Sequence, residues 1–362
     1  MKINKINKIN NYYRTIFISF IFLFLLIFFF STGKATAKAF EITDVEISKP
    51  FKMGFDKNKV IDEGFQKAFK SLILLVVNSS DQKKIRNIKL NEIKFMINSF
   101  SIKEEKFVNE IYYLNLGVSF NRKKIYKFLE NKNIFPSIPN KTKLLYLPII
   151  IEENKKNIFI FTNNRIFKEW NAFNESYHLI EYVLPTEDLE DLEIIKKRYD
   201  FLEKYDFNEI INKYYLNDAI ISLIFKNKNK IRVLSRISIK NDIFLKNRTF
   251  LGLNLDNSNH IEMIIKNLKI DFEDYWKTTN QINTSIKLPL RIKVNSSNEK
   301  IITNFEKILL ETDLIYDFFI NKFDNEYIIY EIIYNGTPDV FLKSMREKKF
   351  NFDIREKDWI LK

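Results

Sequence analysis

Apolar residues follow three different rules along this chain. Ile16 to Phe30 (IFISFIFLFLLIFFF) is a nearly unbroken apolar run. Beyond Ala39 the apolar positions either recur at helical spacing or alternate with polar ones, the two periods that separate helices from strands. Glu41 to Lys49 reads as a strand, and Ile61, Phe65, Ala68, Phe69, Leu72, Leu75 and Val76 form one face of a helix from about Asn58 to Val77. Ile88 to Ser99 reads as a second helix, and Phe100 to Val108 and Ile111 to Phe120 as paired strands. Asn121 is placed to cap a helix whose apolar face is Ile125, Phe128 and Leu129.

Pro136, Pro139 and Asn140-Lys141-Thr142 mark a boundary. Leu144 to Ile151 (LLYLPIII) then suits a strand covered on both faces. Arg165 to Phe173 is a short helix, Leu179 to Leu184 a strand, and Asp188 to Lys204 and Phe207 to Tyr215 are helices. Ala219 to Phe225, Ile231 to Ile239 and Arg248 to Leu255 complete this part as strands, and Ile261 to Tyr275 is an amphipathic connecting helix. Leu288 to Val294, a helix lined by Ile302, Phe305, Ile308 and Leu309, a hairpin of Leu314–Phe323 and Tyr327–Tyr334, a helix capped by Thr337 with Pro338 first, and a strand at Phe350 to Ile354 follow. That order, β-α-β-β-α-β, is ferredoxin-like. The predicted class is α+β, or mixed α/β, in small sheet-plus-helix domains. Residues 1–39 are a leader, 40–140 a small α+β domain, 141–260 a mixed α/β domain, 261–284 a connecting helix and linker, and 285–362 the ferredoxin-like domain.

Lys2, Lys5, Lys8 and Arg14 precede the N-terminal apolar run, and Ala35-Thr36-Ala37-Lys38-Ala39 follows it. A basic region, an apolar stretch and a small-residue site read as a secretory signal peptide, cleaved near Ala39, which predicts a periplasmic protein. The competing reading is an inner-membrane anchor facing the same compartment. About 15 residues rise only about 22 Å, short of the roughly 30 Å apolar core of a bilayer.

The 362 residues carry a formal charge of +13 and no cysteine. Disulfides, thiolate catalysis and Cys-ligated zinc are therefore absent. Six of the cations and no acid lie in residues 1–39, which leaves 13 − 6 = +7 for the rest. Those charges are interspersed with acids, so a nucleic-acid partner is not predicted, while peripheral contact with a membrane stays open. The six glycines are scattered and build no phosphate cradle.

Several landmarks together resemble a family of secreted proteobacterial proteins, the domain of unknown function numbered two thousand and sixty-six. They are Tyr113-Leu114-Asn115-Leu116-Gly117-Val118-Ser119-Phe120 followed by a helix, the strand ending in Pro148, Asn163-Asn164 with Trp170-Asn171, and Pro185-Thr186-Glu187-Asp188-Leu189-Glu190-Asp191. The resemblance covers about the middle half of the mature chain. It implies export and architecture, and no reaction.

Candidate chemistry is sparse. The acidic run Glu187 to Glu193 could offer Asp188 and Asp191 to calcium, but it lacks the Gly and alternating acids of a dedicated loop. The same acids suit a helix start, with Asp188 as cap and the dipole favouring negative charge. Trp170 could stack on a ligand or partner, or belong to the core. His178 and His260 are the only histidines and support neither a two-His metal site nor a triad. No catalytic residue and no cofactor is predicted. The expected role is a non-catalytic binding or scaffolding component of the cell envelope with a protein partner. The alternatives are an envelope-polymer hydrolase using carboxylates and a carrier of lipid or another small ligand.

Overall fold

The computed structural model describes residues 40–227, 230–240, 242–312 and 314–362. The predicted signal peptide lies outside the described residues. Among the described residues, ten α-helices and three sheets make a mixed α+β molecule. No helix among them is long and apolar enough to cross a membrane.

The first sheet orders β1 (Glu41–Pro50), β3 (Ile111–Phe120) and β2 (Ile97–Val108), all antiparallel. Asn109 and Glu110, at φ of 50° and 59°, turn the β2–β3 hairpin in the left-handed region that two-residue hairpins favour. α1 (Lys57–Val76) is capped by Asp56 and lays Val60, Phe65, Ala68, Phe69, Leu72 and Val76 on the sheet. A methyl group at Gly64 would run into Leu116 and Ile47, so glycine permits this close approach. Short helices α2 (Ser79–Gln82) and α3 (Leu90–Met96) follow. α3 ends six residues after it starts, and Ile97–Ser99, predicted helical, already belongs to β2. Asn121 caps α4 (Arg122–Glu130) as predicted, accepting from the Lys124 N–H.

The middle sheet runs β5 (Asn157–Phe159), β4 (Thr142–Glu152), β7 (Ala219–Asn227), β8 (Lys230–Ile239), β9 (Asp242–Leu251), and β6 (Ile180–Val183) also pairs with β4. β4 is buried on both faces, with Leu144, Tyr146 and Ile150 in one core and Leu145, Leu147, Ile149 and Ile151 in the other. α5 (Arg165–Glu169) lies on the first face, and α6 (Leu189–Lys197) and α7 (Asn208–Ile211) on the second. α6 stops at Lys197, seven residues short of the predicted helix end. α8 (Ser258–Thr279), predicted as a connection, is a wall of the first core through Ile261, Ile264, Ile265, Leu268, Phe272 and Trp276. β9 begins at Asp242, six residues before the predicted start.

The last sheet contains β10 (Leu288–Asn295), β11 (Ile315–Phe323), β12 (Tyr327–Tyr334), β13 (Phe352–Asp353) and β14 (Trp359–Leu361), in the order β11-β12-β10-β14-β13. α9 (Glu299–Glu311) and α10 (Pro338–Glu347) supply Phe305, Leu309, Phe341 and Met345 to its core. Pro338 opens α10 as predicted, but the Thr337 side chain makes no capping bond. The end also differs from expectation. The predicted final strand shrinks to β13 on the outside, while β14 takes the place beside β10 and runs parallel to it.

Candidate functional site

The acidic run begins α6. Asp188 caps the helix, accepting from the Glu190 N–H at 2.8 Å. Lys213, from the turn after α7, reaches Asp191 at 2.7 Å, Asp188 at 3.0 Å and Glu190 at 3.2 Å. The structure thus brings Asp188 and Asp191 together, with an ammonium group between them. The hydrogen bond to Asp191, then that to Asp188, raise the Lys213 pKa well above its usual value, and Lys213 in turn holds Asp188 below the carboxylate range. Among the described residues no three His, Cys, Asp or Glu side chains are grouped to hold a metal ion. Asp188→Asn is expected to be mild, because Asn caps as well as Asp, whereas Asp188→Ala is expected to lower the melting temperature more. Calcium is expected to leave the wild-type melting temperature unchanged. A calcium-dependent rise lost in Asp188→Asn would make this a metal site.

Of the two readings of Trp170 the structure has the core one: the side chain has no exposed surface and does not face a ligand or partner from solvent. One ring face is covered by Tyr146 at a centroid distance of 3.9 Å, and Tyr182 and Phe272 close the sides. The Lys269 ammonium sits 5.2 Å from the Trp170 centroid and 5.3 Å from that of Tyr182, a cation–π arrangement.

Lys269 belongs to a column on α8 that was not apparent from the sequence. Lys269, Glu273 and Lys277, four residues apart, lie on one side of the helix, and all three are buried. Lys269 donates to the Phe173 carbonyl at 3.2 Å and to Asn174 Oδ1 at 2.5 Å. Glu273 accepts from the Leu179 N–H through both oxygens (3.1 and 3.0 Å) and from the Ile180 N–H at 3.0 Å. Lys277 reaches the Val77 carbonyl at 3.4 Å. The column ties the 173–180 segment, and the end of α1, to the middle core. Burial raises the Glu273 pKa, holds Lys277 low and pushes Lys269 down to about 8. The only available signal was the four-residue spacing beside Leu268, Phe272 and Trp276.

The two histidines stay apart in structural roles. His260 Nδ1 accepts from the Asn254 N–H and His178 Nδ1 from the Glu175 N–H. Burial, then Lys269 and Lys277, push the His178 pKa down to about 4. The unfolded chain, with a histidine pKa near 6.5, therefore binds more protons between about pH 4 and 6.5. The stability is present in full above that window and is lost as the pH falls through it. Because the ring is partly exposed, about 1–2 kcal/mol is expected rather than the full shift. Urea midpoints of wild type and His178→Gln at pH 7 and 4.5 check this, and an equal fall in both would refute it.

A surface cleft of about 790 Å³ is lined by Lys156, Asn157, Ile158, Phe159, Asn163, Lys196, Tyr199 and Asp200. It contains one carboxylate and so lacks the opposed pair of a carboxylate hydrolase. A second, of about 450 Å³, is lined by Glu46, Glu63 and Glu104, of which Glu63 pairs with Lys49 and Glu104 with Lys106. The sheets instead leave long edges open, among the described residues, at β1, β2, β9 and β11. Phe100, Ile102, Phe107, Ile243, Leu245, Phe319 and Phe323 are exposed along those edges. No protein-family model matches the chain, and a search of curated proteins finds no match.

Proposed function

We propose that this chain is an exported, non-catalytic binding or scaffolding component of the cell envelope, which takes an extended segment of a partner protein onto a sheet edge. The observation that carries the proposal is that every sheet of the described residues ends in an open strand bearing exposed apolar side chains. Such an edge offers main-chain hydrogen bonds for affinity and side chains for specificity. The N-terminal pattern supports cleavage near Ala39 and a periplasmic location, with an inner-membrane anchor as the other outcome. The family resemblance is part of the same proposal: Pro148, Asn164 and Trp170, three of its landmarks, lie in neighbouring parts of the middle core. The C-terminal sheet is read as a ferredoxin-like variant with its last strand doubled into a hairpin.

Photo-crosslinking in the cell, from probes placed along the edge strands, tests the proposal. Discrete adducts with an envelope protein, from a mature chain in the periplasmic fraction, are expected. No adduct from any edge would overturn the binding role. The full-length chain in the inner membrane would overturn cleavage.

A further inference from the structure

We infer that β9 is the docking edge, and that its occupant is an extended segment of another polypeptide in which apolar and acidic residues alternate, an inference that rests on the binding role proposed above. Three of the long edge strands are guarded by bulges. β1 is bulged between Ile42 and Val45, β2 between Ile97 and Ser99 and between Ile102 and Glu104, and β11 between Ile315 and Asp317 and between Ile320 and Lys322. β5, β6 and β13 are two to four residues long. Bulges and shortness both keep an edge from accepting a further strand. β9 has neither defence. Its ten residues pair with β8 in unbroken register, from Asp242 opposite Ile239 to Leu251 opposite Lys230. No strand of the described residues lies on its other side, so alternate residues direct unpaired N–H and C=O groups outward.

The side chains define what fits. Ile243, Leu245 and Leu251 project on one face and are 68%, 54% and 74% exposed. Asp242, Phe244, Lys246, Arg248 and Phe250 project on the other, beside α8. There Arg248 lies 2.6 Å and Lys246 3.9 Å from the single carboxylate of Asp271. Asp242 begins the same face, so the excess of positive charge is confined to its middle, where Lys246 and Arg248 share the one carboxylate of Asp271. An added strand with apolar residues on the first face and acids on the second makes favourable cross-strand pairs with both. A second copy of β9 fits poorly. Antiparallel pairing keeps residues of one face opposite each other, and the two registers of longest overlap set Lys246 opposite Arg248 or opposite the other copy's Lys246. Like charges directly opposite are destabilising.

The probe is a capped, fluorescent peptide of about ten residues alternating valine and glutamate, added to the mature chain. Binding is read by anisotropy and its place by amide hydrogen exchange. Saturable binding with slowed exchange confined to β9 is expected. Affinity is expected to fall at least about tenfold when lysine replaces the glutamates, and likewise in Leu245→Lys, which changes only an exposed side chain. Lys246→Glu is expected to narrow the preference between the two peptides. No binding at millimolar peptide, binding unaffected by Leu245→Lys, or protection on another edge overturns the assignment of β9. Protection of β9 that rises with protein concentration alone overturns it in favour of a second copy. In each of these cases crosslinks from other edges would leave the broader binding role standing.

Discussion

Glu273→Ala is expected to lower the stability of the protein by about 3–5 kcal/mol, the usual effect of removing one partner from a buried charged cluster. The substitution removes the only carboxylate of the α8 column. It also leaves the Leu179 and Ile180 N–H groups at the start of β6 without their acceptor. Lys269 and Lys277 would then sit buried as two cations with less compensation. Glu273→Gln keeps one acceptor oxygen and is expected to lose less. Replacing the whole column at once, by Glu273→Leu with Lys269→Met and Lys277→Met, is expected to recover much of the loss, since apolar groups of similar size need no partners. Urea denaturation measures all three variants. A cost below about 1 kcal/mol for Glu273→Ala would show that the column contributes little.

Asn164→Ala is expected to cost about 2–4 kcal/mol, through two separate losses. β6 pairs with β4 only as far as Leu145, and β5 only from Ile150, so residues 146–149 have no strand neighbour on that side among the described residues. Asn164 fills the gap, donating to the Pro148 carbonyl at 3.0 Å. In a strand a residue's N–H and C=O point to the same side, so the N–H that proline lacks would also have faced this gap rather than β7. That is why proline is tolerated in so deeply buried a strand. The other end of the same side chain caps α5, accepting from the Ile166 and Phe167 N–H groups at 2.9 and 3.1 Å. Loss of the cap accounts for about 0.5–2 kcal/mol and the unpaired carbonyl for about 1–3. Asn164→Asp separates them, because Asp keeps the cap and cannot donate to Pro148. Stability of Asn164→Asp equal to wild type would refute the role given to the Pro148 bond.

The elements that could be read from the sequence are those with one buried and one solvated face. β3 alternates cleanly from Tyr112 to Phe120, and α1 keeps its stripe through five turns. The first half of β9 is hidden because an edge strand with both faces largely exposed carries no alternation to detect. Ile97 to Ser99 looks helical because it continues α3 without a proline or glycine to mark the break. The α8 column is invisible for a different reason. Lys, Glu and Lys four residues apart describe a solvated helix face equally well, and what covers them is distant in the chain: the 173–180 segment for Lys269 and Glu273, and Val77 for Lys277. Lys213 is likewise unreadable, since its three carboxylates lie more than twenty residues away in sequence.

Among the described residues, the last sheet is tied to the rest by Arg122 donating to the Ile315 carbonyl, by the Lys123–Asp317 and Lys287–Glu130 pairs, by Lys123 and Lys287 over the Tyr316 ring, and by Leu314 on the first core. Its own apolar cluster is otherwise self-contained. A sheet with its own apolar cluster can open as a unit while its neighbour stays closed. Native-state exchange is therefore expected to show the slowest amides of β10 and β12 converging on one opening energy, and those of β4 and β7 on a higher one. The chain passes from α8 to β10 through residues 280–287, so force applied along the chain is expected to release the C-terminal eighty or so residues first, leaving the β9 edge intact.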